Sequence, residues 1–292
     1  MPPIELPGSL GRIDVPADWR RPCRRSHWSD GVRTVATPPV PAAGGHAAWR
    51  YGEVPSAVVS DGSGGAFVLA TRSEFWPLSQ GAFSLAHVAA QGAAGARIDL
   101  ADPLYWAGVI GVSADGAMCA SGPGRVIVAT ADPYTRLGAR RFNASGRLLW
   151  RSPRQLCQSV PPNSSVLVLN LVAEPSKGEA AIFAWRHPLT AGACEARVQR
   201  IGANGRVRWG ADGVSLGAIA GAEWPAGQPW IQLVAKGDGG AIVVYSRSAA
   251  RSLRLFAVSI APDGTAGSPV NVVSSTSDDL SALQRVRVAV TD

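Results

Sequence analysis

RFNASGRLLW, residues 141–150, returns as RIGANGRVRW at 200–209 and, more faintly, as SIAPDGTAGS at 259–268. The spacing is fifty-nine residues each time. Each copy reads as a strand, a short turn and a second strand. Pairs such as Asn204-Gly205 and Asp263-Gly264 accept the positive φ that a tight hairpin needs. Two weaker copies precede them, VPAAGGHAAW at 40–49 and HVAAQGAAGA at 87–96.

A second element stands ahead of four of these hairpins. It reads DGSGGAFVLATRS from 61, SGPGRVIVATADP from 121, SKGEAAIFAWRHP from 176 and KGDGGAIVVYSRS from 236. A Gly-rich turn feeds a strand in each. Upstream lies another apolar segment: SAVVS, VIGVS, VLVLNLVA and WIQLVA in turn. One unit therefore holds four short strands joined by hairpin-sized turns. The strands are rich in β-branched residues and often apolar on both faces, as a strand covered on both sides must be. No segment carries a long stripe of 3.6-residue period.

Sheets that are apolar on both faces bury them only against their neighbours, and a closed ring removes the exposed ends. The pattern predicts an all-β chain, a β-propeller of five blades of four antiparallel strands. An open solenoid and two stacked sandwiches are the alternatives. The C-terminal LQRVRVAVTD resembles the first strand of a unit, so one blade is expected to be closed by both termini. Residues 36–292 are read as a single propeller domain. Residues 1–35 are read as an N-terminal segment contributing to the closing blade, with GRIDVPADW a candidate strand.

The GGA-type turn (Gly239-Gly240-Ala241), the strand ending in Tyr245 and Arg247, and the hairpins Asn204-Gly205…Trp209 and Ser145-Gly146…Trp150 together resemble repeats of bacterial extracellular β-propeller proteins. The resemblance spans about residues 40–275 and implies secretion or surface display. Residues 1–20 show no signal peptide. Fold alone is silent on activity.

Composition narrows the function classes. Apolar residues make up 46% of the chain and charged residues 17%, which describes a globular chain and not a disordered one. The net charge of +7 comes almost wholly from arginine, since only Lys177 and Lys236 are lysines. No apolar run is long enough for a membrane span. His27, His46, His87 and His187 have no ligand spacing, and Cys23, Cys119, Cys157 and Cys194 form no CxxC pair, so no metal and no cofactor are expected. A Cys157–Cys194 bridge is geometrically attractive, because both follow or begin strands at the same end. The cluster Arg20, Arg21, Arg24 and Arg25, beside Trp19 and Trp28, could hold a polyanion, but the plainer reading is a solvated segment.

In a propeller the loops between second and third strands, and the links between blades, share one face. Here they carry Arg72 and Trp76, Tyr134, Arg186 and His187, and Arg247; the links carry Trp106, Trp224 and Trp230. Aromatic platforms with planar guanidinium donors suit a glycan, especially an acidic one. The leading expectation is a non-catalytic module recognising a glycan or a protein partner through that face. The rivals are a carbohydrate-active hydrolase or lyase, with Asp102, Asp132 and Glu223 as candidate carboxylates, and a structural spacer module of a larger surface protein. Trp150 and Trp209, in repeated register, are expected to pack between blades.

Overall fold

The computed structural model describes residues 4–5, 12–14, 54–72, 82–90, 94–100, 116–132, 136–158, 169–189, 194–219, 231–249, 252–275 and 287–289. Every regular element among them is a β-strand. Two short strands open the chain, β1 (Ile4–Glu5) and β2 (Arg12–Asp14). Blade 1 is β3 (Val54–Ser60), β4 (Ala66–Arg72), β5 (Ala82–Val88) and β6 (Ala94–Asp99). Blade 2 is β7 (Gly116–Ala120), β8 (Arg125–Asp132), β9 (Arg136–Asn143) and the short β10 (Arg154–Gln155). Blade 3 is β11 (Leu169–Ser176), β12 (Ala180–Pro188), β13 (Cys194–Ile201) and β14 (Val214–Ile219). Blade 4 is β15 (Ile231–Ala235), β16 (Ala241–Ala249), β17 (Ser252–Ile260) and β18 (Val270–Ser275). The last strand, β19 (Arg287–Ala289), pairs antiparallel with β2, and β2 with β1.

Each of the four complete blades is an antiparallel meander in sequence order. The first strands β3, β7, β11 and β15 lie side by side, and β19 follows β15. This is a five-bladed β-propeller whose fifth sheet joins the two ends of the chain, as the repeat predicts. The 40–49 copy lies outside the described residues.

One strand differs from expectation. VIGVS was the expected first strand of blade 2 and lies outside the described residues. The strand that pairs with β8 is GAMCA, Gly116–Ala120. Its small residues and lack of β-branching hide it from a propensity reading.

Alternation along the strands explains the double-sided burial. In β12, Ala181, Phe183 and Trp185 face blade 2, while Ile182 and Ala184 face blade 4; all five are buried. Phe67, Leu69, Phe83 and Leu85 pack against Met118, Val126, Val128 and Phe142 between blades 1 and 2. The core is thus a series of seams between sheets.

The repeated hairpin also has one geometry. Bridges Phe142↔Leu148, Ile201↔Val207 and Ile260↔Ala266 recur at the fifty-nine-residue spacing. In each, the glycine N–H donates to a carbonyl three residues back: Gly146 to Asn143, Gly205 to Gly202, Gly264 to Ala261. The tryptophan then reaches the next blade. Trp150 Nε1 donates to Ala203 O at 2.8 Å, and Trp209 Nε1 to Pro262 O at 3.1 Å. Both indoles are buried, as their register predicts.

Candidate functional site

Pairing fixes which residues share a position at the loop-rich ends of the second strands. Ala181 pairs with Ile201, Ala241 with Ile260, and Val126 with Phe142. Counting along the strands sets Asp132, His187 and Arg247 in one register. The matching turn bonds, Asp61 N to Gly65 O and Lys236 N to Gly240 O, add Arg72 to that register. Arg186 therefore stands out of register with Arg72 and Arg247. It stands one residue earlier and faces the other side of its sheet.

This offset decides what each side chain does. Arg247 faces back toward blade 3. Its Nη2 donates to Leu216 O and to the Tyr245 hydroxyl, both at 3.0 Å, and its guanidinium lies 4.8 Å from the Phe256 ring centre. Tyr245 Oη donates to the same Leu216 carbonyl at 2.8 Å. Gly217 is required beside it, with φ 88° and a Cβ position only 2.8 Å from Arg247 Nη2. Arg247 is a half-buried brace for the seam, with both Nη2 hydrogen bonds committed within the fold.

His187, in the same register, faces blade 2 and is 1% exposed. Its Nδ1 lies 3.9 Å from Cys157 Sγ. Cys157 donates to Asp212 Oδ1 at 3.5 Å, and Gln158 N donates to the same oxygen at 2.8 Å. Arg197 Nη1 donates to Asp212 O at 3.1 Å, and the Arg197 guanidinium pairs with Glu195. Ser215 Oγ donates to Glu195 Oε2 at 2.5 Å. The group contains a thiol, an imidazole and two carboxylates, yet Cys157 is fully enclosed. A nucleophile must be reachable; this network fastens the outer edge of blade 2 to blade 3. No sequence signal pointed to it, because its members come from separate strands.

Arg186 is the exception. It is 5% exposed, its Nε is enclosed without a partner, and no hydrogen bond or ion pair reaches its guanidinium among the described residues. By alternation it shares a face with Ile182 and Ala184, which pack on Ile231, Leu233 and Tyr245 of blade 4. A guanidinium stays protonated at any ordinary pH. Burying its charge unpaired costs several kcal/mol by the order of such penalties, about 3 or more. Arg186 and Arg247 thus enter the same seam, between blades 3 and 4, at its loop-rich end, one engaged and one not.

The remaining expected ligand residues are placed as follows. Arg72 ends β4, and its side chain is outside the described residues. Trp76, Trp106, Tyr134, Trp224 and Trp230 lie outside them altogether, as do Asp102, Glu223 and the arginine cluster at 20–25. Among the described residues no three His, Cys, Asp or Glu side chains converge as a metal site. The expected Cys157–Cys194 bridge is absent. Neither forms a disulfide and both are buried, Cys157 in the seam toward blade 2 and Cys194 in the seam toward blade 4, with the blade-3 sheet between them.

No protein-family model and no curated protein matches the chain. Among solved structures it is similar to two of an ulvan lyase, a polysaccharide lyase of family PL25, one of them bound to -[GlcA(1-4)Rha3S]-. The TM-scores are 0.47 and 0.45, with 9% identity over 75% of this chain. This chain spans 55% of the length of either lyase chain. At this distance they bring neither an activity nor a residue to the chain.

Proposed function

We propose that the propeller engages an acidic glycan at the loop-rich end of the seam between blades 3 and 4, with Arg186 as the charge anchor. The observation that carries this is Arg186, 5% exposed, with its Nε enclosed and no hydrogen bond or ion pair to its guanidinium among the described residues. A carboxylate or sulfate group offers two oxygens to its planar fork and neutralises the charge, which water only solvates. The braced Arg247 adds positive potential to the same end without being released from Leu216. A neutral sugar would leave the Arg186 charge as it is, so the seam selects for anionic units.

Cleavage of that glycan is the second reading, favoured by the same residue. A guanidinium against a uronate carboxylate acidifies the neighbouring C–H, which is the first requirement of an elimination. A polysaccharide lyase would use Arg186 this way; a hydrolase needs two facing carboxylates instead.

Calorimetric titration with polygalacturonate, a sulfated galactan and neutral dextran tests the binding. The acidic polymers should bind and dextran should not. Arg186→Met should lower affinity by roughly tenfold or more, the scale of losing a charge-assisted pair. Equal binding of dextran, or full affinity in Arg186→Met, removes the proposal. Ultraviolet absorbance of unsaturated product on prolonged incubation separates the lyase from the pure binder.

A further inference from the structure

The outer hairpins of blades 2 and 3 build a surface that the loop-rich face does not use. Between Asp132 and Glu174 the chain has six arginines and no acidic side chain; between Glu195 and Asp212 it has four arginines and none. The matching stretch of blade 4 sets Arg254 against Asp263. Positive charge is therefore gathered on two adjacent blades.

Arg147, Arg151, Arg206 and Arg208 are exposed, and their side chains have no hydrogen bond or ion pair among the described residues. Half-buried Arg154 stands beside them, its Nε enclosed without a partner. The two hairpins touch. Trp150 Nε1 and Arg141 Nη1 both donate to Ala203 O, and Arg154 Nε lies 2.9 Å from where a Cβ on Gly205 would sit. Burial and then the nearby charge of Arg208 press the pKa of Arg200 down, opposed by the charge of Asp238. Between Arg147 and Arg151 stand Leu148 and Leu149, 37% and 38% exposed. The one other exposed large hydrophobic residue among the described residues is the isolated Val58.

We infer that this turn face docks the propeller on an anionic lipid surface, with the arginines on headgroup phosphates and carboxylates and Leu148–Leu149 entering the interface. Guanidinium forks suit phosphate bidentately. A basic cluster of this size is drawn to anionic headgroups, and two leucines give a shallow, reversible purchase. A soluble polyanion would use the arginines and leave the leucine pair unexplained. Single-stranded nucleic acid would want exposed aromatic platforms, whereas Trp150 and Trp209 are buried. The turns of a meander emerge opposite the loops that follow its second strands, so a docked propeller would hold the Arg186 end away from the lipid.

Co-sedimentation with vesicles of phosphatidylcholine alone, or mixed with phosphatidylserine, tests the inference; heparin and a short single-stranded DNA serve as soluble polyanions. Binding is expected to the mixed vesicles alone among the two, weakening steeply with salt. Arg147→Gln/Arg151→Gln/Arg206→Gln should lose roughly tenfold or more in affinity. Leu148→Ser/Leu149→Ser should lose a few-fold on vesicles, about the scale of two shallowly inserted side chains, and nothing on heparin. These side chains are exposed and make no hydrogen bond or ion pair among the described residues, so thermal melting of both variants should match the parent. No binding to the mixed vesicles overturns the inference. Tighter binding to heparin or DNA, with the leucine variant unchanged on vesicles, overturns it in favour of a soluble polyanion. Heparin is itself an acidic glycan, so its arm is read in the Arg186→Met background; that variant should not alter vesicle or DNA binding, so the glycan site and the lipid face stand or fall separately.

Discussion

Trp150 packs against Gly205 of the next blade, so close that a Cβ there would come within 3.2 Å of its Cδ2. The same fit recurs fifty-nine residues on, where a Cβ on Gly264 would sit 2.7 Å from Trp209 Cδ1. The glycine therefore has two duties. It supplies the positive φ of the hairpin, 76° at Gly205 and 93° at Gly264, and it leaves room for the preceding blade's indole. That double demand is why glycine and tryptophan repeat together.

The two duties can be measured apart. Gly264→Ala incurs both the left-handed backbone penalty and the clash, and should cost about 2–4 kcal/mol. Gly178 also has positive φ, 74°, but nothing lies within 4 Å of its Cβ position. Gly178→Ala should then cost only about 1 kcal/mol. Chemical denaturation of both variants checks the contrast; equal losses would show that the indole yields without strain.

Glu179 is the only non-glycine among the described residues in the left-handed region, with φ 57°. The matching positions of the other blades are Gly64, Gly124 and Gly239. Glu179 stays there because its carboxylate meets Arg125 Nη1 at 2.9 Å and the buried Arg141, across the seam between blades 2 and 3. The bond from Arg141, opposed by partial burial and helped by the charge of Arg125, holds its pKa below the ordinary glutamate range. Glu179→Gly relieves about 1 kcal/mol of backbone strain and strips Arg141 of its counter-charge. The net outcome should be destabilisation by about 1–2 kcal/mol, read from urea midpoints. Glu179→Gly at or above parental stability would show that the ion pair contributes nothing.

Asp61 should set the acid limit of blade 1. It is 2% exposed and accepts from Ser63 N at 2.7 Å, Gly65 N at 2.8 Å and Ser63 Oγ at 2.8 Å, with His87 Nε2 at 2.7 Å. Burial alone would raise its pKa; the bonds from His87, Ser63 and Gly65 outweigh it and hold the carboxyl far below the usual range. A depressed folded pKa contributes stability above the unfolded value of about 3.9, and that stability is lost as pH falls through it toward the folded value. Asp61→Asn should flatten the fall in melting temperature below about pH 4 and lower stability at neutral pH. An unchanged acid limb in Asp61→Asn would place the sensitivity elsewhere.

The ring, the hairpins and the packing tryptophans were legible because glycine turns and double-sided apolar strands are local features repeated at fixed spacing. The site was only partly so. Arg72, Arg186 and Arg247 all fall on the loop-rich face in the sequence reading, but a side chain's side of the sheet depends on pairing register, and a one-residue offset reverses it. That offset makes Arg247 a brace and leaves Arg186 without a partner among the described residues. The Cys157, His187 and Asp212 network was invisible for a related reason. Its members lie on separate strands, and only the stacking of blade 2 on blade 3 brings them together.

Arg186 and Arg247 should therefore respond in opposite directions to the same substitution. Arg247→Met removes bonds to Leu216 O and Tyr245 Oη and the contact with Phe256, leaving a buried carbonyl and hydroxyl less satisfied. It should cost about 1–3 kcal/mol. Arg186→Met replaces an enclosed charge with an apolar chain of similar length in an apolar seam, and should raise stability by about 1 kcal/mol or more without ligand. A residue kept at a cost in stability is one whose gain appears only with the partner present. Saturating acidic glycan should then raise the melting temperature of the parent and not of Arg186→Met, which reverses their order. Differential scanning fluorimetry with and without polygalacturonate reads both effects. A fall in stability for ligand-free Arg186→Met would mean that the guanidinium is already neutralised within the fold, and would remove it as an anchor.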